Sequence, residues 1–241
     1  MHVVVNPTWR CQLSCRYCWL PHTAIRRTAK EHTWQQWAKA LSGTLPPESI
    51  VDFSGGEPFL FEGLPKLLVA LAEHETGWAV TTNALETDAI RRLAYQRPGY
   101  CAAINVSDHA GNHRAVANIA LLMEAGYRVA INRLDHAAAG HHVDSASGLL
   151  PFQDWKRGTA LDGKRRACNA GVNHWVADPS GDVWRCMVSM QLGHPPVANL
   201  FRLPGERVQL DPTCDFGCST GYRDTPGAWC IDMHVLGGEG I

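Results

Sequence analysis

Residues 2–18 read HVVVNPTWRCQLSCRYC, a short apolar run followed directly by a loop that carries three cysteines. The run His2–Val5 is typical of a β-strand. The spacing CxxxCxxC places three thiols in one short loop, and soft thiolate sulfur is a ligand that suits iron. We therefore predict that Cys11, Cys15 and Cys18 hold three irons of a 4Fe-4S cluster and leave the fourth iron without a protein thiolate. A zinc site is the alternative for the same spacing.

A second predicted strand, Ile50–Phe53, runs into the turn Ser54–Pro58, which reads SGGEP. Glycines at such a turn let a neighbouring group approach closely, because they carry no side chain. Strand and helix patterns then alternate, which predicts an α/β fold with a parallel sheet. The further predicted strands are Trp78–Thr82, Cys101–Ser107 and Tyr127–Leu134. Four helices are predicted: one after a capping box of Thr33 and Gln36, one over Leu64–Ala72, one over Thr87–Tyr95 and one with an apolar face of Val116, Ile119, Ala120 and Met123.

Together, the cysteine loop after the first strand and the GGEP motif after the second resemble the radical S-adenosylmethionine (SAM) superfamily. The resemblance implies a partial (β/α) barrel of about five to six βα units. It also implies which residues bind SAM: Tyr17 beside the adenine, and the backbone of the GGEP motif at the methionine amino group. The implied SAM-binding residues are Tyr17, Gly55, Gly56, Glu57 and Pro58, with Asn105, Ser107 and Arg133 at the ends of the fourth and fifth strands and Thr81, Thr82 and Asn83 at the third.

The chemistry follows from the same resemblance. An electron enters the cluster from an external donor of the flavodoxin or ferredoxin type and splits SAM into methionine and a 5′-deoxyadenosyl radical, which takes a hydrogen atom from the substrate. The cofactors supply this chemistry, and the protein supplies binding, orientation and exclusion of water.

A second group of cysteines lies in the last third of the chain. Cys168 precedes a predicted hairpin of His174–Ala177 and Val183–Met187, and Cys186 lies on the second strand of that hairpin. With Cys214 and Cys218 they make four thiols, enough for a cluster with no open iron or for structural zinc.

This arrangement resembles the start of a SPASM or twitch extension and implies one auxiliary 4Fe-4S cluster, with Cys230 competing with Cys214 for the fourth position. We expect a radical SAM domain over 1–150 and a small twitch-like domain over 151–241. Cys101, in mid-strand, is expected to be an inert buried thiol.

The leading interpretation is a radical SAM oxidoreductase or isomerase that dehydrogenates a small polar metabolite. His109, Arg133 and Lys156 are candidates for taking the hydroxyl proton. Alternatives are modification of a nucleobase or nucleotide, including DNA, for which Lys164–Arg166 could hold a phosphate, or of a ribosomally made peptide. A non-enzymatic iron–sulfur electron carrier is the alternative from another class.

The composition and charge of the chain limit the partners and the cellular compartment that we expect. The 241 residues are 45% hydrophobic with a net charge of −1, so no overall field recruits nucleic acid or an anionic membrane. The apolar runs are far shorter than the roughly 20 residues that cross a bilayer, and the start lacks the pattern of a secretory signal. We expect a cytoplasmic protein with no membrane partner and with reduced cysteines.

Overall fold

The computed structural model describes residues 1–15, 30–109, 113–134, 166–167, 174–191, 194–202 and 213–214. The strands are β1 (His2–Val5), β2 (Ile50–Phe53), β3 (Gly77–Thr82), β4 (Cys101–His109), β5 (Val129–Leu134), β6 (Arg166–Ala167), β7 (His174–Ala177), β8 (Asp182–Trp184), β9 (Ala198–Asn199) and β10 (Thr213–Cys214). The α-helices are α1 (Trp34–Thr44), α2 (Leu64–Glu73), α3 (Thr87–Gln96), α4 (His113–Glu124) and α5 (Met187–Gln191), and a 3₁₀ turn spans Pro58–Leu60. No helix in these ranges is long and apolar enough to cross a bilayer.

Eight of the strands form one open, mixed sheet in the order β5-β4-β3-β2-β1-β7-β8-β9. Strands β1 to β5 are parallel, and β7 joins the other side of β1 in parallel, with His2 opposite His174. Strands β8 and β9 continue the sheet in antiparallel pairing. The predicted α/β class and its five parallel strands are therefore confirmed, and the hairpin extends the same sheet. The division of the chain near residue 150 stays a prediction.

The core lies on one side of this sheet, which we call the helical face because α1 to α4 pack there. Alternate strand residues, such as Val3 and Val5 of β1 or Val51 and Phe53 of β2, join the helices in one apolar cluster. The residues between them belong to the opposite face, since side chains alternate along a strand. There Val4 packs with Val176 and with Met187 of α5.

The predicted apolar face of α4 is wrong by one position. Val116 and Met123 are 59% and 58% exposed, and the helix instead buries Ala115, Asn118, Ile119 and Leu122. A polar residue, Asn118, occupies the core-facing row because its Nδ2 donates to Ala84 O at 2.8 Å and to Thr87 Oγ1 at 3.1 Å. Because Asn118 is polar, a search for apolar residues at helical spacing does not include it and selects the neighbouring row instead.

The hairpin also differs from the prediction at its second strand. Strand β8 ends at Trp184 and α5 begins at Met187, so Cys186 lies in the bend between them. At the other end, Gly181 has φ +81°, and a Cβ there would lie 2.2 Å from the Phe201 ring. The hairpin turns at residues 178–181, where Gly181 N donates to Asp178 O at 2.9 Å, and the strand that follows is shorter than predicted.

The predicted capping box of α1 is confirmed. Gln36 N donates to Thr33 Oγ1 at 3.3 Å, and Thr33 N donates to Gln36 Oε1 at 2.9 Å. The helix buries Trp37 completely. A local signal of this kind needs no tertiary information, which is why the sequence predicts it.

Candidate functional site

The turn after β2 is bound to the last residue of β1 and to the loop that follows it by three backbone hydrogen bonds. Ser54 N donates to Val5 O at 3.0 Å, Gly56 N to Thr8 O at 3.0 Å and Glu57 N to Arg10 O at 2.7 Å. The last of these bonds lies one residue before Cys11. The SGGEP turn thus holds the chain in place up to the first predicted cluster ligand.

The two glycines of this turn are required by contacts inside the chain itself. Gly55 has φ +114°, and a Cβ there would lie 2.7 Å from Thr8 O. A Cβ on Gly56 would lie 2.2 Å from Arg10 O and 2.6 Å from Trp9 O. These neighbours are backbone atoms, which cannot swing away as a side chain can. The glycines are therefore required where the turn meets the cysteine loop, and the predicted approach of SAM to this motif stays a prediction.

Glu57 is buried and joins the ends of β2 and β3. Its Oε1 accepts from Thr82 Oγ1 at 2.7 Å and from Phe59 N at 3.1 Å, and its Oε2 accepts from Asn83 N at 2.8 Å. Burial raises the pKa of Glu57 to about 7, and these three hydrogen bonds oppose that shift. The side chain therefore acts as a fixed brace between the two strand ends.

Asn83, predicted as a SAM contact, is brought against the first cysteine. Its Nδ2 lies 3.9 Å from Cys11 Sγ and 3.2 Å from Gln12 Oε1, while its Oδ1 accepts from Leu85 N at 3.0 Å. Leu13 N also donates to Cys11 Sγ, at 3.4 Å. N–H groups around a sulfur are what a metal-bound thiolate needs, because they stabilise its charge.

An ion pair, which sequence reasoning missed, joins the two ends of the cysteine loop. Arg10 Nε and Nη2 each lie 2.8 Å from one carboxylate oxygen of Glu31, and Thr8 Oγ1 donates to the same carboxylate. Residues 16–29, which include the predicted cluster ligand Cys18 and the predicted SAM contact Tyr17, lie outside the described residues. The ion pair connects the segments that precede and follow them. No sequence pattern marks such a pair.

The predicted SAM contacts on β4 lie on the opposite face of the sheet, near the end of β3. Asn105 is buried and pairs in register with Thr81. Ser107, two residues further along β4, is partly exposed and pairs with Asn132. Arg133 pairs with Asp108, one position further along β5, and the structure does not describe its side chain. Asn105 and Ser107 are thus near neighbours, and the roles of all three residues stay predictions.

Asp52 is a buried acid that sequence reasoning did not single out. It lies between Val51 and Phe53 on β2 and is 5% exposed. Burial raises the pKa of Asp52 to about 7, and the nearby Thr81 hydroxyl opposes the shift. The strand pattern gives no signal for it beyond a charged residue in an apolar run.

The second cysteine group is described in part. Cys186 is buried, and its Sγ accepts from Ser189 N at 3.4 Å. Cys214 lies in β10, which pairs with β6 so that Cys214 is opposite Arg166, two residues before Cys168. The described residues contain no group of three or more His, Cys, Asp or Glu side chains placed to hold a metal ion. Cys168, Cys218, Cys230 and Lys156 lie outside the described residues, as does the side chain of His109.

Cys101 is separate from both groups. Burial raises the pKa of its thiol to about 12, which keeps it protonated. The side chain is only partly buried rather than buried as predicted. A protonated thiol is a poor metal ligand, and the inert role of Cys101 stays a prediction.

An α/β sheet whose cysteine loop is held by a glycine turn defines the class of protein. Residues 5–137, more than half of the 241 residues, match the radical SAM superfamily model. The chain therefore belongs to the radical SAM superfamily. No curated protein matches it closely enough in sequence to be counted as a relative.

Solved structures show a similar fold. BtrN in complex with AdoMet and 2-DOIA has 18% identity and a TM-score of 0.56, covering 84% of this chain and 79% of BtrN. Native anSMEcpe with bound AdoMet has 12% identity and a TM-score of 0.55, covering 84% and 79%. SuiB of Streptococcus suis bound to S-adenosylmethionine has 14% identity and a TM-score of 0.51, covering 84% and 63%. At such identities the likeness concerns the fold.

Proposed function

We propose that the chain is a radical SAM enzyme that removes a hydrogen atom from a small polar metabolite and oxidises it. Bound to the protein, a 4Fe-4S cluster and SAM supply a 5′-deoxyadenosyl radical. The observation that carries the proposal is the set of backbone hydrogen bonds between the SGGEP turn and the loop before Cys11. It joins the two motifs of the family into one site.

The residues present fit these cofactors. Cys11, Cys15 and Cys18 would hold the cluster, and Leu13 N and Asn83 Nδ2 already point at the sulfur of the first. At the glycine turn, the amides of Gly56 and Glu57 are used by the cysteine loop. No donor among the described residues is bound to the carbonyl oxygens of Gly55 and Gly56. An ammonium group has only donors, so these carbonyl oxygens suit the amino group of SAM.

The same proposal includes one auxiliary 4Fe-4S cluster, held by Cys168, Cys186, Cys214 and Cys218. The pairing of β6 with β10 supports it, because it brings the strand of Cys214 beside the residues that lead to Cys168. Cys230 is the alternative to Cys214, and structural zinc is the alternative to iron. His109, Arg133 and Lys156 are proposed acceptors for the proton released on oxidation, and electrons would come from a flavodoxin or ferredoxin type of donor.

A small-molecule substrate is favoured by the likeness to BtrN, whose structure holds 2-DOIA. A peptide substrate is the second candidate, because anSMEcpe has been solved with the Kp18Cys peptide at a TM-score of 0.55. The small-molecule and peptide candidates share the radical chemistry and differ in the size of the substrate that the site must bind.

The test is anaerobic reconstitution with iron and sulfide, followed by SAM and a reductant. We expect 5′-deoxyadenosine from the wild type and none from Cys11→Ala, while Cys101→Ala, the matched control, behaves as the wild type. Cys186→Ala should retain SAM cleavage and lose about half of the bound iron. Zinc in place of iron, or equal product from Cys11→Ala, would refute the proposal.

A further inference from the structure

The second flank of the cysteine loop, residues 31–32, meets a side chain from the last third of the chain. The ring of His32 stacks on the ring of Phe201, with 3.6 Å between the ring centroids and 24° between the planes. Trp37 of α1 contacts the same phenyl ring edge to face, at a centroid distance of 4.9 Å. The contact of His32 with Phe201, which we call the clasp, thus ties this flank to the segment after β9.

Phe201 is fixed from its own side by the hairpin. Its backbone N–H donates to Asn199 Oδ1 at 3.0 Å. The amide nitrogen of Asn199 donates to Asp182 Oδ1 at 2.8 Å and to Ser180 O at 3.1 Å. The phenyl ring lies directly over Gly181, where a Cβ would collide with it. The position of the ring is therefore set by the hairpin and its turn.

The other side of the clasp leads to the first predicted cluster ligand. His32 directly follows Glu31, whose two carboxylate oxygens each lie 2.8 Å from a nitrogen of Arg10. Arg10 in turn directly precedes Cys11. An unbroken series of contacts thus runs from the hairpin, through the clasp and the ion pair, to the residue before the first cysteine.

The clasp is the firmer of the two contacts that hold this flank. In the ion pair, the side chains of Arg10 and Glu31 are 51% and 27% exposed, and an exposed ion pair contributes little energy. Phe201 instead packs against the apolar core. Stacked rings also stabilise each other beyond the apolar area that they bury. Loss of the clasp should therefore loosen the flank even when the ion pair is intact.

The hairpin that fixes Phe201 also leads to the second cysteine group. Strand β8 begins at Asp182, which binds Asn199, and ends two residues before Cys186. Cys186 is a predicted ligand of the auxiliary cluster, whereas the clasp acts on the loop of the SAM-binding cluster. The described contacts therefore connect the surroundings of the two predicted metal sites.

We propose that His32 and Phe201 are positioning residues of this enzyme, and that their contact fixes the second flank of the cysteine loop in the arrangement that SAM binding requires. The role in SAM binding rests on the proposed function. Three thiolates on one loop bind a cluster in one geometry only if the loop is supported from outside. The support comes from the last third of the chain, so the hairpin determines how well the first site is formed.

The first test measures amide hydrogen exchange in the cluster-free protein by mass spectrometry. His32→Ala and Phe201→Leu remove the stack, whereas His32→Phe keeps an aromatic ring at the same place. The control, Ile119→Ala, shortens a core side chain on α4, a helix that packs against α3 and β5. Residues 8–15 and 54–57 report on the loop and the turn bound to it, and β4 reports on opening of the whole sheet.

We expect both variants without the stack to speed exchange over 8–15 and 54–57 at least about fivefold and to leave β4 unchanged. His32→Phe should exchange as the wild type does. Ile119→Ala should show the reverse pattern, with faster exchange in β4 and little change at the loop, because it lowers the stability of the core.

The second test measures the affinity for SAM by calorimetry, after reconstitution with iron and sulfide and without reductant. We expect His32→Ala and Phe201→Leu to bind SAM about fivefold more weakly than the wild type. His32→Phe and Ile119→Ala should bind it as the wild type does. A purely structural role of the clasp would leave this affinity unchanged.

The inference is overturned if exchange at the loop is unchanged in both variants without the stack, or if His32→Phe exchanges as fast as His32→Ala. It is also overturned if β4 accelerates as much as the loop, which would show a general loss of stability, or if SAM affinity does not change while the loop loosens. The exchange experiment needs no cluster. Wild-type protein that binds no SAM would therefore refute the proposed function and the role in SAM binding, while the exchange result would still decide whether the clasp holds the loop.

Discussion

Single side chains set the environment of Cys11, the first predicted cluster ligand. Asn83 reaches Cys11 Sγ only because its other atoms are held: Leu85 N binds its Oδ1, and Glu57 Oε2 binds its backbone N–H. Glu57 is held in turn by Thr82 and Phe59. The acid of the GGEP motif is therefore connected to the cysteine through one amide side chain.

Replacing that amide tests its effect on the cluster. We expect Asn83→Ala to bind iron with no more than a modest loss and to shift the midpoint potential of the SAM-binding cluster to lower values, because one N–H donor to the sulfur is lost and the oxidised state is favoured. The midpoint potential of Asn83→Ser, which keeps a hydrogen-bond donor, should lie between those of the wild type and Asn83→Ala. Redox titration followed by EPR measures the shift. An unchanged potential in Asn83→Ala would show that the amide does not act on the cluster.

Short elements position the site by fitting closely against one another. The SGGEP turn lies on the backbone of residues 6–10 because Gly55 and Gly56 leave no Cβ in the way. The ion pair of Arg10 with Glu31 then joins the flanks of the cysteine loop at its solvent side. An exposed pair contributes little energy by itself, so most of the positioning comes from the backbone hydrogen bonds.

A methyl group added at Gly56 should push the SGGEP turn away from the backbone of the cysteine loop. We expect Gly56→Ala to lose about 2–3 kcal/mol of unfolding free energy, since overpacking against backbone forces a shift, and to lose most of its ability to assemble the first cluster. The matched control is Gly43→Ala in α1, where a Cβ would meet nothing within 4 Å; it should be neutral or stabilising by about 0.5–1 kcal/mol. Urea unfolding and iron analysis measure both effects. A Gly56→Ala protein as stable and as rich in iron as Gly43→Ala would contradict the geometry.

The molecule as a whole is organised around β1. This strand carries the cysteine loop at its end, and it has β2 on one side and β7 on the other. Residues of β7 and β8, including Trp175, Ala177 and Val183, belong to the same core as α1 to α4. Strands β7, β8 and β9 of the last third of the chain are thus part of the sheet that carries the first cysteine group.

A fragment of residues 1–150 should therefore fail to fold stably. Without β7, the backbone of β1 becomes an unpaired edge beside the cysteine loop, and the core loses Trp175, a fully buried side chain. We expect the fragment to aggregate or to unfold without a cooperative transition, by size-exclusion chromatography and urea titration. A monomeric, cooperatively folded fragment would instead establish 1–150 as an independent domain.

The amino-acid sequence by itself determined the features whose signals are local. These are the cysteine spacing, the SGGEP turn, the capping box of Thr33 and Gln36 and the alternation of strands and helices, each of which depends on a few neighbouring residues. They predicted the family and the parallel strands, which are confirmed, and the first metal site, which stays a prediction. Only the tertiary structure decided which residues meet across strands. Register and contacts between distant segments place Asn118 in the core, Asn83 at Cys11, Cys186 in a bend, β7 beside β1 and Asp52 in a buried position. A pattern read along the chain contains no information on such contacts.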